Sequence, residues 1–351
     1  MKLFFHIGTE RTGSSYLQSL SAINRNVLKQ NGIWFPFEGK KDIMMLKGEI
    51  SPGNAQALTD ALNSNNVAAF RSFVYQRVKE AKERKCHTLL LSNELLVLAL
   101  AEENGLGQFI SMLDRIDDFN ISFLLFLREP VDQALSLYKH RAKNGKALDI
   151  EEWPKKHYVY GDALLSFLKQ AQLKKICLSV RKFSKKNGVL ENILFKEWLN
   201  VQEDLIPPPK FVNPSLNVSE LILVKKLSEH QSYLASLLSA KLALISKKDK
   251  CENRDLVNYY KDTLSHEIAN YDETWEICNQ FLPLNEKISC SKANQPSIID
   301  KQSSFSDQQI EAIVGFLVYS LTLKGRFQIV KLKFKREFIK ALQTLKLINK
   351  A

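Results

Sequence analysis

A short polar loop near the start of the chain carries the residue types that bind phosphate or sulfate groups. Gly8 and Gly13 bound the loop, and Arg11 places a cation inside it. Ser14 and Ser15 follow at once with two hydroxyl groups. Glycines let backbone N–H groups approach a ligand closely, while a guanidinium and hydroxyls donate hydrogen bonds to an anion. The loop therefore has the chemistry of an anion-binding turn.

The spacing of the two glycines matches the Walker A pattern G-x-x-x-x-G-K-[ST], but Ser14 stands where that pattern has its lysine. A nucleoside triphosphatase needs this lysine on the β- and γ-phosphates of its nucleotide. We therefore expect a nucleotide phosphate at the loop, with different chemistry at its far end. The alternative is an ordinary strand-to-helix turn with a serine-rich helix start.

A second group of this kind lies in the segment LREPVDQALSLYKHR, where Ser136 follows Arg128 by eight positions. Pro130 suits the first turn of a helix. At about 1.5 Å per residue, Ser136 is then about two turns along that helix. A guanidinium at a strand end and a hydroxyl on the next helix can hold one anion from two sides. The alternative is a salt-bridged arginine and an unrelated helical serine.

Both groups need a strand before them and a helix after them, and the hydrophobic pattern predicts this order. Short apolar runs predict strands at 3–7, 88–91, 121–127 and 175–180, and a turn with a short strand is expected over 31–36. Helical spacing predicts helices from residue 14, over 56–84, from 94 to about 117, from 130 to about 143 and over 189–200. The alternation predicts an α/β fold with a doubly wound parallel sheet. Residues 38–55 are expected to be an irregular loop over the active face.

Four residues follow the ends of predicted strands: Gly8, Glu94, Arg128 and Arg181. In such sheets, ligands bind at the carboxyl ends of the strands. We therefore expect these four residues to converge on one crevice.

Together, the two groups resemble the sulfotransferases that use 3′-phosphoadenosine 5′-phosphosulfate as donor. The 5′-phosphosulfate-binding loop of that family is usually Lys-x-Gly-[ST]-[ST], and here it stands as Arg11-Thr12-Gly13-Ser14-Ser15. Arginine in place of the usual lysine keeps the charge but presents a planar fork of donors.

The family's 3′-phosphate-binding segment has an arginine with a serine eight residues later, which Arg128 and Ser136 match. The resemblance covers residues 1–220 and includes Asn213-Pro214-Ser215-Leu216, similar to an Asn-x-Ser-Leu turn of bacterial members. It implies a P-loop-like sulfotransferase core over 1–220, with a mostly helical extension over 221–351 that packs on the core.

The activity that this resemblance implies is in-line transfer of a sulfuryl group to a hydroxyl of a carbohydrate or glycolipid acceptor. The 5′-phosphosulfate is expected on the backbone of residues 12–15, with the Ser14 and Ser15 hydroxyls assisting. Arg11 is expected at the bridging oxygen as its bond breaks. The product nucleotide is adenosine 3′,5′-bisphosphate, and no metal is required.

For the 3′-phosphate, the resemblance points to Arg128 and Ser136. Arg181 is a further candidate for that phosphate or for the adenine edge.

Glu94 is the first candidate for the base that accepts the acceptor's proton, because many glycan sulfotransferases place a glutamate after this strand. Its alternative role is a carboxylate at a helix start. His140 is a second candidate for the base or for an acceptor contact. The basic helix face around His140 either is simply solvated or receives an acidic acceptor. His6 is expected in the core or behind the site.

The amino-acid composition limits the class of protein and the kinds of ligand that it binds. The chain has 351 residues, of which 45% are hydrophobic and 25% charged, as in ordinary globular proteins. A net charge of +12 and a pI of about 9.3 favour anionic ligands such as nucleotides, acidic glycans, nucleic acid or anionic lipids. The five cysteines contain no C-x-x-C pair, so neither a disulfide framework nor a zinc site is expected.

The first residues have the pattern of a strand rather than of a secretory signal, and no apolar run reaches about 18 residues. We therefore expect a cytoplasmic protein without a membrane span.

Residues 331–350 carry a basic amphipathic pattern. Packing on the domain is the first interpretation, and peripheral contact with the inner face of a membrane, or with a partner helix, is the alternative.

Two other functions stay open from the sequence. One is a kinase-like P-loop enzyme using ATP and Mg²⁺, which the missing lysine disfavours. The other is a non-catalytic binder of nucleic acid or anionic membranes, which the net charge favours. Because the sequence has no recognised nucleic-acid module, no nucleic-acid partner is expected.

Residues 38–55 and the C-terminal third are expected to set the acceptor specificity of the proposed sulfotransferase, since the loops that bind the acceptor vary on a shared sheet.

Overall fold

The computed structural model describes residues 1–36, 39–142, 149–208, 216–245, 252–288 and 305–322. Residues 213–215 of the predicted Asn-x-Ser-Leu turn and the predicted basic amphipathic segment over 331–350 lie outside these ranges.

Within the described residues, five strands form one parallel sheet in the order β2-β3-β1-β4-β5. The strands are β1 (Lys2–Gly8), β2 (Ile33–Trp34), β3 (Thr88–Ser92), β4 (Asn120–Leu127) and β5 (Cys177–Lys182). The predicted α/β class with a parallel sheet is therefore confirmed. The last strand begins two residues later than predicted, and Lys175 before it has a positive φ of 51°, as in a turn.

The helices before β4 are α1 (Ser14–Ile23), α2 (Arg25–Gln30), α3 (Lys40–Leu46), α4 (Gln56–Asn63), α5 (Val67–Glu83), α6 (Leu96–Ala101) and α7 (Gly105–Asp114). The expectation of an irregular loop over 38–55 is wrong in part, because α3 lies within it. The single helix predicted over 56–84 is two helices, because Asn65 between them has a φ of 49°.

The later helices are α8 (Pro130–Ala142), α9 (Trp153–His157), α10 (Tyr160–Leu173), α11 (Val189–Glu191), α12 (Val218–Ala243), α13 (Arg254–Glu267), α14 (Asp272–Phe281) and α15 (Asp307–Leu321). A π-helical segment, Asn192–Trp198, continues α11, and 3₁₀ turns lie at Ala269–Tyr271 and Leu284–Glu286. Among the described residues, no helix has both the length and the apolar character needed to cross a membrane.

Strand β1 is buried on both faces, and its side chains alternate between two hydrophobic clusters. Leu3, Phe5 and Ile7 belong to a cluster that includes residues of α4–α7 and α10. Phe4 faces the other cluster, which includes residues of α1 and α11, and its ring lies 4.7 Å from that of Trp198. Helices therefore cover both faces of the sheet, as a doubly wound fold requires.

The strand order places a topological switch between β1 and β4. The chain leaves β1 toward one edge of the sheet, where β2 lies, and leaves β4 toward the other edge, where β5 lies. Ligands of open α/β sheets bind outside the carboxyl ends of the strands at such a point. The Gly8–Gly13 loop and Arg128 follow these two strands, so the topology puts both at the expected crevice.

The chain divides into two compact units. The first unit comprises residues 1–134, 156–213 and 267–293 and holds the whole described sheet; the second comprises 135–155, 214–266 and 294–351. The units thus interleave along the chain, whereas the sequence suggested one boundary at residue 220. One cause is α14, whose Trp275 and Cys278 are buried in the core of the first unit.

The described part of the second unit is mostly helical, as predicted for residues beyond 216. Asn217 and Glu220 form a capping box at the start of α12, and Ser306 and Gln309 form another at the start of α15. Gln309 Nε2 donates to Glu220 Oε1 at 2.8 Å, and both side chains are buried. The two caps therefore join the two helices.

The segment from Ser51 to Ala55 is fixed to the outer edge of β3. Asn54 Nδ2 donates to Leu90 O at 3.1 Å, and its Oδ1 accepts from Ser92 N at 2.7 Å. Asn93 Nδ2 donates to Pro52 O at 3.0 Å. These bonds define the position of the β3 end that leads to Glu94.

We expect Gly53→Ala to destabilise the protein much more than Gly188→Ala. Gly53 and Gly188 have φ of 82° and 81°, so each alanine carries a conformational cost of about 1 kcal/mol. A Cβ at Gly53 would also lie 2.0 Å from Ser92 O, whereas nothing lies within 4 Å of a Cβ at Gly188. Urea unfolding measures both losses, and equal losses would contradict the close packing of this segment on β3.

Candidate functional site

The loop between β1 and α1 depends on a glycine in the left-handed conformation. Gly13 is the N-cap of α1 and has a φ of 87°. A Cβ there would lie 2.8 Å from Leu190 Cδ1 and 3.2 Å from Phe183 Cε2. Both the backbone conformation and the contact with the segment after β5 therefore favour glycine.

Helix α1 begins without a side-chain cap. Its own hydrogen bonding starts where the Leu17 N–H donates to Gly13 O at 3.0 Å. The N–H groups of Ser14, Ser15 and Tyr16 precede that bond and point out of the helix start. Together with the positive end of the helix dipole, these groups suit an anion.

The Ser14 hydroxyl adds a second indication at the same place. Ser14 is 3% exposed, and its Oγ has no hydrogen-bond partner among the described residues. Buried polar atoms in native proteins usually have a partner. An oxygen of a bound phosphate or sulfate group would supply one.

Thr12 stabilises the loop from within. Its Oγ1 donates to Thr9 O at 2.7 Å, and both residues are buried. The Thr12 hydroxyl therefore holds the turn, which leaves the Thr12 backbone N–H as its group for a ligand, as predicted from the sequence.

Arg128 lies beside the loop because β4 pairs directly with β1. Gly8 is opposite Phe126, two residues before Arg128. Arg128 Nη1 donates to Arg11 O at 3.1 Å. The guanidinium carbon of Arg128 also lies 5.3 Å from the centre of the Phe183 ring. The structure thus brings two of the predicted anion ligands, Arg11 and Arg128, together.

The charge on Arg128 is partly withdrawn from water. Burial lowers its pKa, and the nearby Arg11 guanidinium lowers it further. Asp132 and Glu129 act in the opposite direction. The two cations and the carboxylates that act on them thus lie together beside the start of α1.

Arg11 itself has an unusual backbone conformation, with a φ of 71°. Burial lowers the pKa of its guanidinium, while the Glu94 and Glu10 carboxylates raise it. Glu94, which follows β3, is therefore near Arg11, as the sequence predicted from strand ends. The arrangement places one cation and two carboxylates at the same edge of the sheet.

Two residues that contact the loop, and a third that binds one of them, were missed from the sequence. Tyr160 donates its hydroxyl to Glu10 Oε2 at 2.8 Å, and Gln133 Nε2 donates to Glu10 O at 3.2 Å. Tyr158 donates its hydroxyl to Gln133 Oε1 at 2.9 Å. The sequence gives no periodic or motif signal for these residues, because each acts through a long-range contact.

The expectation for Arg181 needs correction. Its Nε donates to Glu286 Oε1 at 2.8 Å, its Nη2 lies 2.5 Å from the same oxygen, and its Nη1 pairs with Glu197. Burial opposes its charge, but the hydrogen bonds to the two carboxylates outweigh burial and raise the pKa of Arg181. Arg181 is thus held in an ion-pair cluster, which argues against its predicted role in binding a phosphate or the adenine edge.

Ser136 and His140 lie on α8, in agreement with the predicted helix from Pro130. Both side chains are half-buried. They belong to the second compact unit, and their predicted roles stay predictions.

A pocket of about 240 Å³ opens beside α1. Tyr16 and Leu20 line it from α1, and Gly188, Glu191 and Phe195 line it from the segment after β5. The Tyr16 hydroxyl donates to Glu191 Oε1, so the ring is fixed at the wall. This volume suits a single ring system rather than a large ligand.

His6 belongs to a buried polar group behind the loop, as expected from the sequence. Its Nδ1 lies 2.9 Å from Ser92 Oγ, and Gln18 Nε2 donates to the same oxygen at 3.2 Å. The Ser92 hydroxyl thus accepts from Gln18 and also pairs with the His6 imidazole. Burial lowers the pKa of His6 to about 4, so the imidazole is neutral near pH 7.

In the described ranges, no group of three or more His, Cys, Asp or Glu side chains could hold a metal ion.

Comparison of the chain with family models, with curated proteins and with solved structures found no match in any of the three.

We expect protonation of His6 to destabilise the folded protein between pH 6.5 and about pH 4. Because the folded-state pKa is lower than the unfolded value of 6.5, this contribution is complete above pH 6.5 and is lost as the pH falls toward 4. The full loss is about 3 kcal/mol, at about 1.4 kcal/mol per pKa unit.

Urea unfolding at a series of pH values measures this loss. In His6→Asn, whose amide can accept from Ser92, the decline over this window should be much smaller. An equal decline in both proteins would contradict the assignment to His6.

Proposed function

We propose that this protein is a sulfotransferase that moves the sulfuryl group of 3′-phosphoadenosine 5′-phosphosulfate to an acceptor hydroxyl. The observation that carries the proposal is the start of α1, where uncapped N–H groups and the buried Ser14 hydroxyl lie in a loop with Arg11 and beside Arg128. These groups match a nucleotide anion, and their residue types are those of the sulfotransferase motifs.

In the proposed complex, the 5′-phosphosulfate binds the N–H groups of residues 12–15. The helix dipole and these N–H groups stabilise negative charge without a proton transfer. Ser14 Oγ gains the partner that it lacks among the described residues. Arg11 supplies the positive charge at the bridging oxygen.

The nucleoside part of the donor extends into the pocket beside Tyr16. The pocket adjoins the loop, because Tyr16 is the third residue of α1 and Leu190, next to Glu191, contacts Gly13. Its volume suits a purine ring.

Arg128 holds the 3′-phosphate of the donor. Only its Nη1 is engaged with the Arg11 carbonyl in the hydrogen bonds described above, and a guanidinium has five N–H donors. Ser136, eight residues later on α8, stays the second contact predicted from the sequence.

The transfer step breaks the bond between sulfur and the bridging oxygen of the donor and forms a bond from sulfur to the acceptor oxygen. Adenosine 3′,5′-bisphosphate leaves with the bridging oxygen, where Arg11 offsets the developing charge. The acceptor proton goes to Glu94, whose carboxylate is near Arg11. His140 remains the alternative base. The proposed acceptor is a hydroxyl of a carbohydrate or glycolipid.

Calorimetric titration with adenosine 3′,5′-bisphosphate tests the nucleotide site. We expect binding at micromolar concentration in the absence of a metal, and at least tenfold weaker binding in Arg128→Ala, because loss of a charge-assisted contact costs roughly 1.5–3 kcal/mol. Arg115→Ala, which removes an exposed arginine, is the matched control and should bind as the wild type does.

Two outcomes would contradict this assignment. Preference for MgATP over the bisphosphate would favour a kinase-like enzyme. Salt-dependent binding of oligonucleotides without nucleotide binding would favour a non-catalytic nucleic-acid binder.

Glu94→Gln tests the proposed base. The amide keeps the shape of the side chain but cannot take a proton, so we expect kcat to fall about 10²–10⁴-fold with donor affinity nearly unchanged. Sulfuryl transfer from labelled donor to a panel of glycans measures kcat. Glu103→Gln changes an exposed glutamate as control, and unchanged turnover in Glu94→Gln would transfer the role to another residue.

A further inference from the structure

We propose that Gln133, Tyr158 and Tyr160 are positioning residues that hold the anion-binding loop in its binding conformation. This inference rests on the proposed function and extends it to residues outside the sulfotransferase motifs. We call the three residues the loop clamp.

The first part of the loop clamp acts on the backbone. Gln133 Nε2 donates to Glu10 O at 3.2 Å, and Tyr158 donates to Gln133 Oε1 at 2.9 Å. Gln133 is 0% exposed and Tyr158 is 2% exposed. Because the tyrosine hydroxyl occupies the amide oxygen, the amide nitrogen is directed at the loop. A buried side chain with both ends bonded has one fixed orientation.

The second part acts on a side chain. Tyr160, also 2% exposed, donates its hydroxyl to Glu10 Oε2 at 2.8 Å. Burial and the Glu10 carboxylate both raise the pKa of Tyr160, so the phenol stays protonated and keeps its role as donor. Glu10 is thus held at both its carbonyl and its carboxylate.

The consequence for ligand binding follows from the planarity of the peptide bond. The carbonyl oxygens of Glu10 and Arg11 are bound by Gln133 and Arg128, respectively. In a trans peptide, the N–H of the next residue points opposite to the carbonyl. Fixing these two carbonyls therefore directs the N–H group of Arg11 away from Gln133 and the N–H group of Thr12 away from Arg128.

The clamp also explains how Arg11 keeps its backbone conformation. A φ of 71° is unfavourable for a residue with a Cβ, and such residues persist where surrounding contacts hold them. The bonds from Gln133 and Arg128 lie on the two carbonyls at either side of the Arg11 α-carbon. A loop held in this way does not lose conformational entropy when the anion binds, which raises affinity.

Gln133→Leu is the test variant, and Gln170→Leu is its matched control. Gln170 also belongs to the first unit and uses its Nε2 to hold backbone carbonyls, at 3.3 Å from Leu100 O and 3.1 Å from Glu102 O, far from the loop in sequence. Both variants replace a glutamine by leucine, so each removes the same side-chain amide and takes a hydrogen-bond donor from backbone carbonyls. Only Gln133→Leu releases the loop.

We expect calorimetry with adenosine 3′,5′-bisphosphate to show about tenfold weaker binding for Gln133→Leu and unchanged binding for Gln170→Leu. Tyr158→Phe and Tyr160→Phe, which keep the aromatic packing, should show weaker losses in the same direction. Equal affinity in Gln133→Leu and the wild type would overturn the proposal. An equal loss in both leucine variants would also overturn it, because that loss would come from general destabilisation.

Amide hydrogen exchange in the nucleotide-free, full-length protein gives a second readout. We expect faster exchange over residues 9–13 in Gln133→Leu than in the wild type or Gln170→Leu, and unchanged exchange there would overturn the proposal. A wild-type protein that binds no bisphosphate nucleotide would instead overturn the proposed function. The exchange comparison would then still decide whether the clamp holds the loop.

Discussion

The direct pairing of β1 with β4 is the constraint on which the candidate site depends. It places Gly8 opposite Phe126, so the loop after one strand and the arginine after the other lie side by side although Arg11 and Arg128 are 117 residues apart. The strand order also makes this the point where the chain leaves the sheet in opposite directions. Two cations, an uncapped helix start and nearby carboxylates, Glu94 and Glu10 among them, thus meet at one place.

The parts of the site that the sequence predicted are those with local signals. Gly13, Ser14 and Arg128 follow buried apolar runs, and a run of this kind specifies both a strand and the residue at its end. Strand positions were therefore accurate to within about two residues, as expected for element boundaries. The convergence of Glu94 with Arg11 followed from strand ends alone.

The parts that were missed or wrong depend on contacts distant in sequence. Tyr160 reaches Glu10 across 150 residues, and nothing in the spacing of either residue indicates the pair. Arg181 does follow a strand, as predicted, but Glu286, 105 residues later, binds its guanidinium. A position at a strand end therefore does not by itself tell which group a cation binds, because carboxylates from distant parts of the chain can reach it.

The side chain of Asn54 has a consequence for the behaviour of the protein in solution. Strand β2 is two residues long and pairs only with Thr88 and Leu89, so it covers only the first part of the outer edge of β3. Beyond it, the Asn54 amide accepts from Ser92 N and donates to Leu90 O, which is the pattern that a further strand would provide. The Ala55 N–H adds a bond to Ser92 O at 3.3 Å, so this short segment pairs backbone groups of β3 that would otherwise be open to another molecule. The same asparagine that fixes the strand end near Glu94 therefore also helps to cover a sheet edge of the kind at which separate molecules pair.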